Sequence, residues 1–199
     1  MASAVGTTGK MNMADEINRK NRERWEALAG AYARAKLPLP ELDPESAKEM
    51  LDREGMMGRC GGRDVLVLGG GGGRLSTAFG LLGARVSVVD FSPTQLAADR
   101  AAAAQYGLQF RLIESDMRDL SAFGTDSFDI VYQAHSVNYV PNPGQVFREV
   151  ARVLRKGGLY YLSCTNPFTH GLAETDWDGD GYPLRETYAD GIAEGLASR

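Results

Sequence analysis

Short apolar runs alternate with helical patterns through the middle of this chain. Runs rich in β-branched and aromatic side chains predict five strands, at 64–68, 85–90, 109–113, 127–132 and 159–163. Between these runs apolar residues recur at helical spacing, as in Leu75, Phe79 and Leu82. Strands separated by helical crossovers predict an α/β fold: a doubly wound, mostly parallel sheet with helices on both faces.

Helix boundary signals support this pattern. Ser92 is predicted as an N-cap, Pro93 follows at the first turn, and Gln95 is placed to close a capping box. Another helix is predicted to start at Pro143 and to carry Arg155 and Lys156 at its C-terminal end, ahead of two glycines.

The residues on either side of this pattern are organised differently. Residues 1–60 are predicted to form a flexible N-terminus and two helices, the first with Trp25, Leu28, Ala29 and Tyr32 on one face and the second from about Pro44 to Met57. These helices are expected either to cover a binding site as a lid or simply to pack on the domain. Residues 61–166 form the α/β core, and residues 167–199 an acidic loop and tail, within one domain overall.

Five consecutive glycines, 69–73, follow the first strand and precede a helix. Such a turn presents backbone N–H groups at the positive end of a helix dipole. The dinucleotide pattern Gly-x-Gly-x-x-Gly fails, because its third glycine falls on Arg74 or on Leu75, depending on the register. The remaining alternatives are the shorter Gly69-x-Gly71-x-Gly73 loop and a flexible glycine linker.

The composition of the chain indicates which kinds of partner and which cellular compartment to expect. The net charge of −4 over 199 residues provides no general attraction to nucleic acid, and no such partner is expected. Two cysteines, Cys60 and Cys164, lack metal-ligand spacing and disulfide density, which favours a reducing cytoplasm. No apolar run reaches the length of a membrane span, so no membrane partner is expected.

Several spaced motifs between about residues 62 and 166 resemble class I S-adenosylmethionine-dependent methyltransferases of the broad small-molecule type. The resemblance implies S-adenosylmethionine as cofactor and S-adenosylhomocysteine as product, with the glycine loop beside the methionine part. It also implies that Asp90 binds the ribose hydroxyls, Phe91 stacks on adenine, Asp116 accepts the adenine amino group and Met117 packs on the ring. The implied cofactor-binding residues are Gly69, Gly70, Gly71, Gly73, Asp90, Phe91, Asp116, Met117 and Gln133.

Two departures from the family pattern change these expectations. The acidic residue that the family often has two positions before the first glycine is Val67 here. The sixth and seventh strands of the family sheet have no counterpart pattern in the tail from Tyr188 to Arg199. The fifth strand is therefore predicted to be an exposed edge, through which a homodimer could form.

The resemblance implies direct in-line methyl transfer to a small-molecule acceptor, which needs a general base only for some acceptors. His135 and Tyr139 are weak catalytic candidates, and Asn138 and His170 are candidates for lining the acceptor pocket. No metal is expected, because the EF-hand-like segment that starts at Asp176 has Thr187 where its bidentate glutamate belongs.

Two alternative functions remain open at this point. A nicotinamide-dependent oxidoreductase is suggested by the spacing of Asp90 from the loop, although the broken third glycine and Asp116 argue against it. A non-catalytic or truncated cofactor-binding protein is suggested by Val67 and by the short tail.

Overall fold

A computed structural model describes residues 13–36, 41–70, 72–165 and 179–181. Five strands follow two N-terminal helices, as the sequence predicts, and helices separate successive strands except β3 and β4. The elements are α1 (Met13–Lys36), α2 (Pro44–Asp52), β1 (Asp64–Leu68), α3 (Arg74–Leu81), β2 (Arg85–Asp90), α4 (Pro93–Tyr106), β3 (Phe110–Glu114), β4 (Phe128–Ala134), a 3-10 turn (Ser136–Tyr139), α5 (Pro143–Val153) and β5 (Leu154–Ser163).

The five described strands form one parallel sheet in the order β3-β2-β1-β4-β5. In the register, Val65 of β1 lies opposite Val86 of β2 on one side and Ile130 of β4 on the other. The chain therefore reverses direction across the sheet at β1, which places the topological switch point between β1 and β4. The predicted doubly wound α/β fold is confirmed.

Two apolar clusters pack against the two faces of the sheet. The first contains Phe79 and Leu96, from α3 and α4, together with Leu51 of α2. The second contains residues of α5, such as Val150, and the segment after β3. Because β1 and β4 are covered on both faces, their side chains are almost all buried, as continuous apolar runs in a parallel sheet predict.

The region around residue 155 differs from the prediction. The predicted helix end at Arg155 and Lys156 is wrong, because β5 begins at Leu154 and includes both residues and the two glycines after them. Arg155 makes ion pairs with Asp64 at 2.8 Å and Asp129 at 2.9 Å, at the amino ends of β1 and β4. These contacts hold the chain against the sheet in an extended conformation that no local pattern encodes.

Other boundaries shift by a few residues. The second helix ends at Asp52 rather than near Met57, where the Asp52 carboxylate accepts a hydrogen bond from the Met57 N–H at 2.9 Å. β4 extends to Ala134, two residues beyond its predicted end. In the described part of the chain β5 pairs only with β4, as expected of an edge strand. Among the described helices, none is long and apolar enough to cross a bilayer.

Candidate functional site

The glycine loop leaves the carboxyl end of β1 at the switch point. Gly69, Gly72 and Gly73 have φ values of 64°, 87° and 94°, in the left-handed region that favours glycine. The Gly69 N–H donates to the Val89 carbonyl at 2.8 Å, which ties the start of the loop to β2. Gly71, the middle glycine of the predicted motif, lies outside the described residues.

Side chains are sterically excluded at both ends of this loop. A Cβ atom at Gly69 would lie 2.6 Å from the Ser136 Cβ and 3.4 Å from the Met117 Cε. A Cβ atom at Gly73 would lie 2.8 Å from the Ala102 Cβ of α4. The backbone itself is therefore the surface that the loop offers between β3, β4 and α4, which explains why glycine is required there.

Asp90 ends β2 beside this loop and is 6% exposed. Its Oδ1 accepts a hydrogen bond from the Ser92 N–H at 2.9 Å, while the Ser92 hydroxyl accepts one from the Gln95 N–H at 3.1 Å. The predicted capping box is therefore wrong, because the Ser92 N–H donates to Asp90 and not to the Gln95 side chain. The Gln95 Oε1 instead lies 2.7 Å from the position that a Gly72 Cβ would take. Phe91, the predicted adenine contact, is half-buried at the turn between them.

Asp116 follows β3 and is held from two sides. Its Oδ1 accepts a hydrogen bond from the Arg118 N–H at 2.8 Å, and its Oδ2 pairs with the Arg118 guanidinium at 2.8 Å. The same Oδ2 accepts a hydrogen bond from the Asn18 amide of α1. The carboxylate predicted to contact adenine is thus oriented by the chain's own donors.

Met117 and Gln133 belong to a partly buried chain of hydrogen bonds. The Gln133 amide nitrogen donates to the Met117 Sδ at 3.0 Å, and the Tyr160 hydroxyl donates to the Gln133 carbonyl oxygen. Gln133 is fully buried. The structure thus places Gln133 beneath the site, where it supports Met117, while the Met117 Cε lies next to Gly69.

The segment after β4 turns back over the loop. His135 has a φ of 58°, an exposed side chain and a backbone N–H that donates to the Ser163 carbonyl at 2.9 Å. The Ser136 hydroxyl donates to the Leu68 carbonyl at 3.0 Å, fixing the turn to β1. The Asn138 amide donates to the Thr165 hydroxyl at 2.7 Å. Of the catalytic candidates, His135 and Tyr139 both have exposed side chains at this edge of the sheet.

Helix α1 crosses the same edge of the sheet and contacts the segments at the carboxyl ends of β2, β3 and β4. Asn18 binds Asp116, Arg22 pairs with Glu114 at the end of β3, and Asn21 donates to the Tyr139 carbonyl at 2.8 Å. Glu26 accepts a hydrogen bond from the Thr94 hydroxyl at 2.7 Å.

These polar contacts of α1 were missed by the sequence analysis. The signal that could have found them is the recurrence of polar residues 18, 21, 22 and 26 at helical spacing around Trp25.

Trp25 is the aromatic contact of α1 with the site, and its ring lies edge-on to Tyr139 at 5.2 Å. Trp25→Ala is expected to make amide hydrogen exchange in α1 about fivefold faster, because an aromatic pair of this geometry contributes about 1 kcal/mol beyond its buried area. Leu28→Ala is the matched control, since Leu28 is 37% exposed on the same helix. Equal exchange rates in both variants would show that the ring pair does not hold α1 in place.

Asp99 is the second feature that the sequence analysis missed. This aspartate lies in the alanine-rich helix α4, is completely buried, and lies 2.5 Å from the Ser76 hydroxyl of α3. Burial raises the pKa of Asp99 to about 7, against opposing hydrogen bonds from Ser76 and the Gly73 backbone. An acidic residue in a helix of small apolar residues was the available signal.

Other predicted positions fall outside the described residues. These are His170, the turn at 37–40, the side chain of Tyr32, most of the acidic segment that starts at Asp176, and the tail at 188–199.

Comparisons with known proteins identify a methyltransferase domain in this chain. A family profile described as a methyltransferase domain matches residues 66–162. The chain is 34% identical over 120 residues to the uncharacterized methyltransferase YbaJ of Bacillus subtilis, covering 60% of this chain and 47% of YbaJ. It is 34% identical over 156 residues to a ubiquinone biosynthesis O-methyltransferase of Xanthomonas axonopodis, covering 77% of this chain and 64% of that enzyme.

A solved structure agrees as well. The S-adenosylmethionine-dependent methyltransferase from Mesorhizobium loti is 30% identical, with a TM-score of 0.52 over 61% of this chain and 55% of that one. The chain spans about half the length of the first curated relatives that it matches.

Proposed function

The chain belongs to the class I S-adenosylmethionine-dependent methyltransferases through its domain at residues 66–162, and we propose that it transfers a methyl group to a small-molecule acceptor. The observation that carries the proposal is the position of Asp90. This buried carboxylate lies at the switch point, beside a glycine loop with no space for side chains. The O-methyltransferase name of one relative supports a small-molecule acceptor.

The residues at this edge fit the cofactor. The small surface of Gly69, Gly70 and Gly73 suits close approach of the methionine part of the cofactor. Asp90 offers a carboxylate to ribose hydroxyls, and Asp116 offers one to an adenine amino group. Phe91 and Met117 supply apolar contacts for the ring, with Met117 held by Gln133.

When bound, S-adenosylmethionine supplies an activated methyl group for in-line transfer to a nucleophilic atom. The chain's own contribution is orientation and exclusion of water. Helix α1 covers the edge through Asn18 and Trp25, and Asp116 is fixed by Arg118. His135 and Tyr139 are the groups proposed to accept a proton where the acceptor carries one. We also propose a reducing cytoplasmic location, since Cys60 and Cys164 are free thiols, and a homodimer through the β5 edge.

Calorimetric titration of the protein with S-adenosylhomocysteine tests this function, with NADH and NADPH as controls. Micromolar or tighter binding of S-adenosylhomocysteine alone is the expected result, and an acceptor screen with labelled methyl donor follows from it. Binding of NADH instead would support the oxidoreductase alternative. Tight binding without transfer to any acceptor in the screen would support a non-catalytic binding protein.

Asp90→Ala is expected to weaken S-adenosylhomocysteine binding by roughly tenfold to a hundredfold, because hydrogen bonds to a charged group contribute about 1.5–3 kcal/mol. Asp90→Asn separates binding from folding, since it retains an oxygen for the Ser92 N–H while removing the charge. Asp119→Ala is the control, an exposed carboxylate in the segment after β3. Unchanged affinity in both Asp90 variants would contradict the proposed site.

A further inference from the structure

Asp99 lies directly behind the glycine loop. Its Oδ1 lies 2.5 Å from the Ser76 Oγ and 3.8 Å from the position that a Gly70 Cβ would take. The Ser76 Oγ in turn lies 3.1 Å from the Gly73 carbonyl oxygen, at the N-cap of α3. Within the part of the chain that the structure describes, Asp99 Oδ2 is buried and has no hydrogen-bond partner. Asp99, Ser76 and Gly73 thus form a line that ends on the loop backbone.

The number of hydrogen-bond donors along this line shows in which protonation state of Asp99 every hydrogen bond of the line can form. A serine hydroxyl has one proton, yet the Ser76 Oγ lies within hydrogen-bond distance of two acceptors, Asp99 Oδ1 and the Gly73 carbonyl. If the Asp99 carboxyl is protonated, it donates to the Ser76 Oγ, and Ser76 donates to Gly73. If Asp99 is ionised, its carboxylate takes the Ser76 proton, and the Gly73 carbonyl keeps only the Thr77 N–H, which donates to it at 3.1 Å.

The surroundings of Asp99 shift its equilibrium toward the protonated form. Burial is the largest influence and raises the pKa of Asp99 to about 7, and the negative charge of Asp90 on β2 acts in the same direction. The hydrogen bonds from Ser76 and from the Gly73 backbone act in the opposite direction. An unpartnered Oδ2 is also less costly on a neutral carboxyl than on a buried carboxylate.

Among the described residues that act on Asp99, none is a cation that would stabilise the ionised carboxylate. Arg74 of α3 and Arg100 of α4 both have exposed side chains. The acid of α1 that reaches α4 is Glu26, which binds Thr94 at the N-terminal turn of that helix. The side chains around Gly70 from β1 and β2 are Val67 and Val88.

We propose that neutral Asp99 and Ser76 form a hydrogen-bonded relay that fixes the Gly73 carbonyl and so positions the glycine loop for the cofactor. Asp99 is a positioning residue in this role, because it acts through Ser76 and the loop backbone. The inference rests on the proposed function for the identity of the ligand. It predicts that the loop binds best when Asp99 carries its proton and less well once that proton is lost.

Titration with S-adenosylhomocysteine near pH 6 and near pH 8.5 tests the relay. In the unmodified protein we expect binding to weaken by about fivefold to tenfold at the higher pH, as expected for the loss of one hydrogen bond. Asp99→Asn keeps a donor for the Ser76 Oγ and does not ionise, so it should bind equally at both pH values. Asp99→Ala and Ser76→Ala break the relay and should bind weakly at both.

Asp52→Asn is the matched control, since Asp52 is also a buried aspartate but binds the Met57 N–H in another part of the fold. It should keep the pH dependence of the unmodified protein. The same pH dependence in Asp99→Asn as in the unmodified protein would overturn the relay.

Failure of the proposed function is distinguishable from failure of the relay. If the unmodified protein binds no S-adenosylhomocysteine at either pH, the function fails, and the relay is judged on the ligand-free protein by amide hydrogen exchange of residues 68–79 near pH 6. Faster exchange in Asp99→Ala than in Asp99→Asn supports the relay in that case. Equal exchange in the two variants overturns it.

Discussion

Replacing Gly73 with alanine is expected to destabilise the fold by about 3 kcal/mol and to remove detectable binding of S-adenosylhomocysteine. Gly73 has a φ of 94°, which an L-residue adopts only with strain. The added Cβ would lie 2.8 Å from the Ala102 Cβ and 3.1 Å from the Ala98 carbonyl oxygen of α4. Backbone strain and overpacking therefore act together, and relief would require α3 and α4 to separate at the loop.

Urea denaturation of the variant measures the loss of stability, and calorimetry measures the loss of binding. Gly107→Ala is the matched control, because Gly107 has a φ of 64° but no atom within 4 Å of an added Cβ. This control isolates the conformational cost, which is about 1 kcal/mol. Equal destabilisation by the two substitutions would mean that contact with α4 contributes nothing at Gly73.

The sheet was predictable because its signals are local. Strand β2 was predicted at its observed bounds, since an apolar β-branched run ends there at Asp90 and a Ser-Pro helix start follows. The beginning of β5 was not predictable, because the ion pairs of Arg155 join it to residues of β1 and β4 that are distant in sequence. Sequence patterns encode periodicity, while such register details depend on tertiary contacts.

In the candidate site, too, some features could be predicted from local sequence and others depend on tertiary contacts. The glycine loop was identified from its residue pattern, and the role of Asp90 from the resemblance to methyltransferases. The structure places Gly69, Gly73 and Asp90 at the carboxyl edge of the sheet, because parallel strands bring their ends together. The docking of α1 depends on polar contacts such as that of Asn18 with Asp116, 98 residues away. The sequence pattern could mark these polar residues as unusual, but a polar helix face has no preferred partner in sequence, so it could not identify Asp116 as the partner of Asn18 or Ser76 as the partner of Asp99.

Asp99→Asn is expected to stabilise the ligand-free protein at alkaline pH. Asp99 has an ordinary pKa of 3.8 when unfolded and a pKa of about 7 when folded, so the folded state holds its proton longer. Between these two values the unfolded state releases the proton first, and the stability of the unmodified protein therefore falls as pH rises. The difference corresponds to roughly 4 kcal/mol between pH 4 and pH 8.

Asparagine has nearly the same shape as aspartate and carries no charge. The stability of the Asp99→Asn protein therefore lacks the loss that Asp99 ionisation causes as pH rises. Denaturation of both proteins across this pH range should show a stability difference in favour of Asp99→Asn that grows from about pH 4 and levels off above about pH 7. A constant difference between Asp99→Asn and the unmodified protein would mean that Asp99 is already ionised in the folded state at low pH. The same aspartate that holds the loop in place is therefore expected to limit the stability of the protein above neutral pH, because one buried carboxyl serves the site only while it keeps its proton.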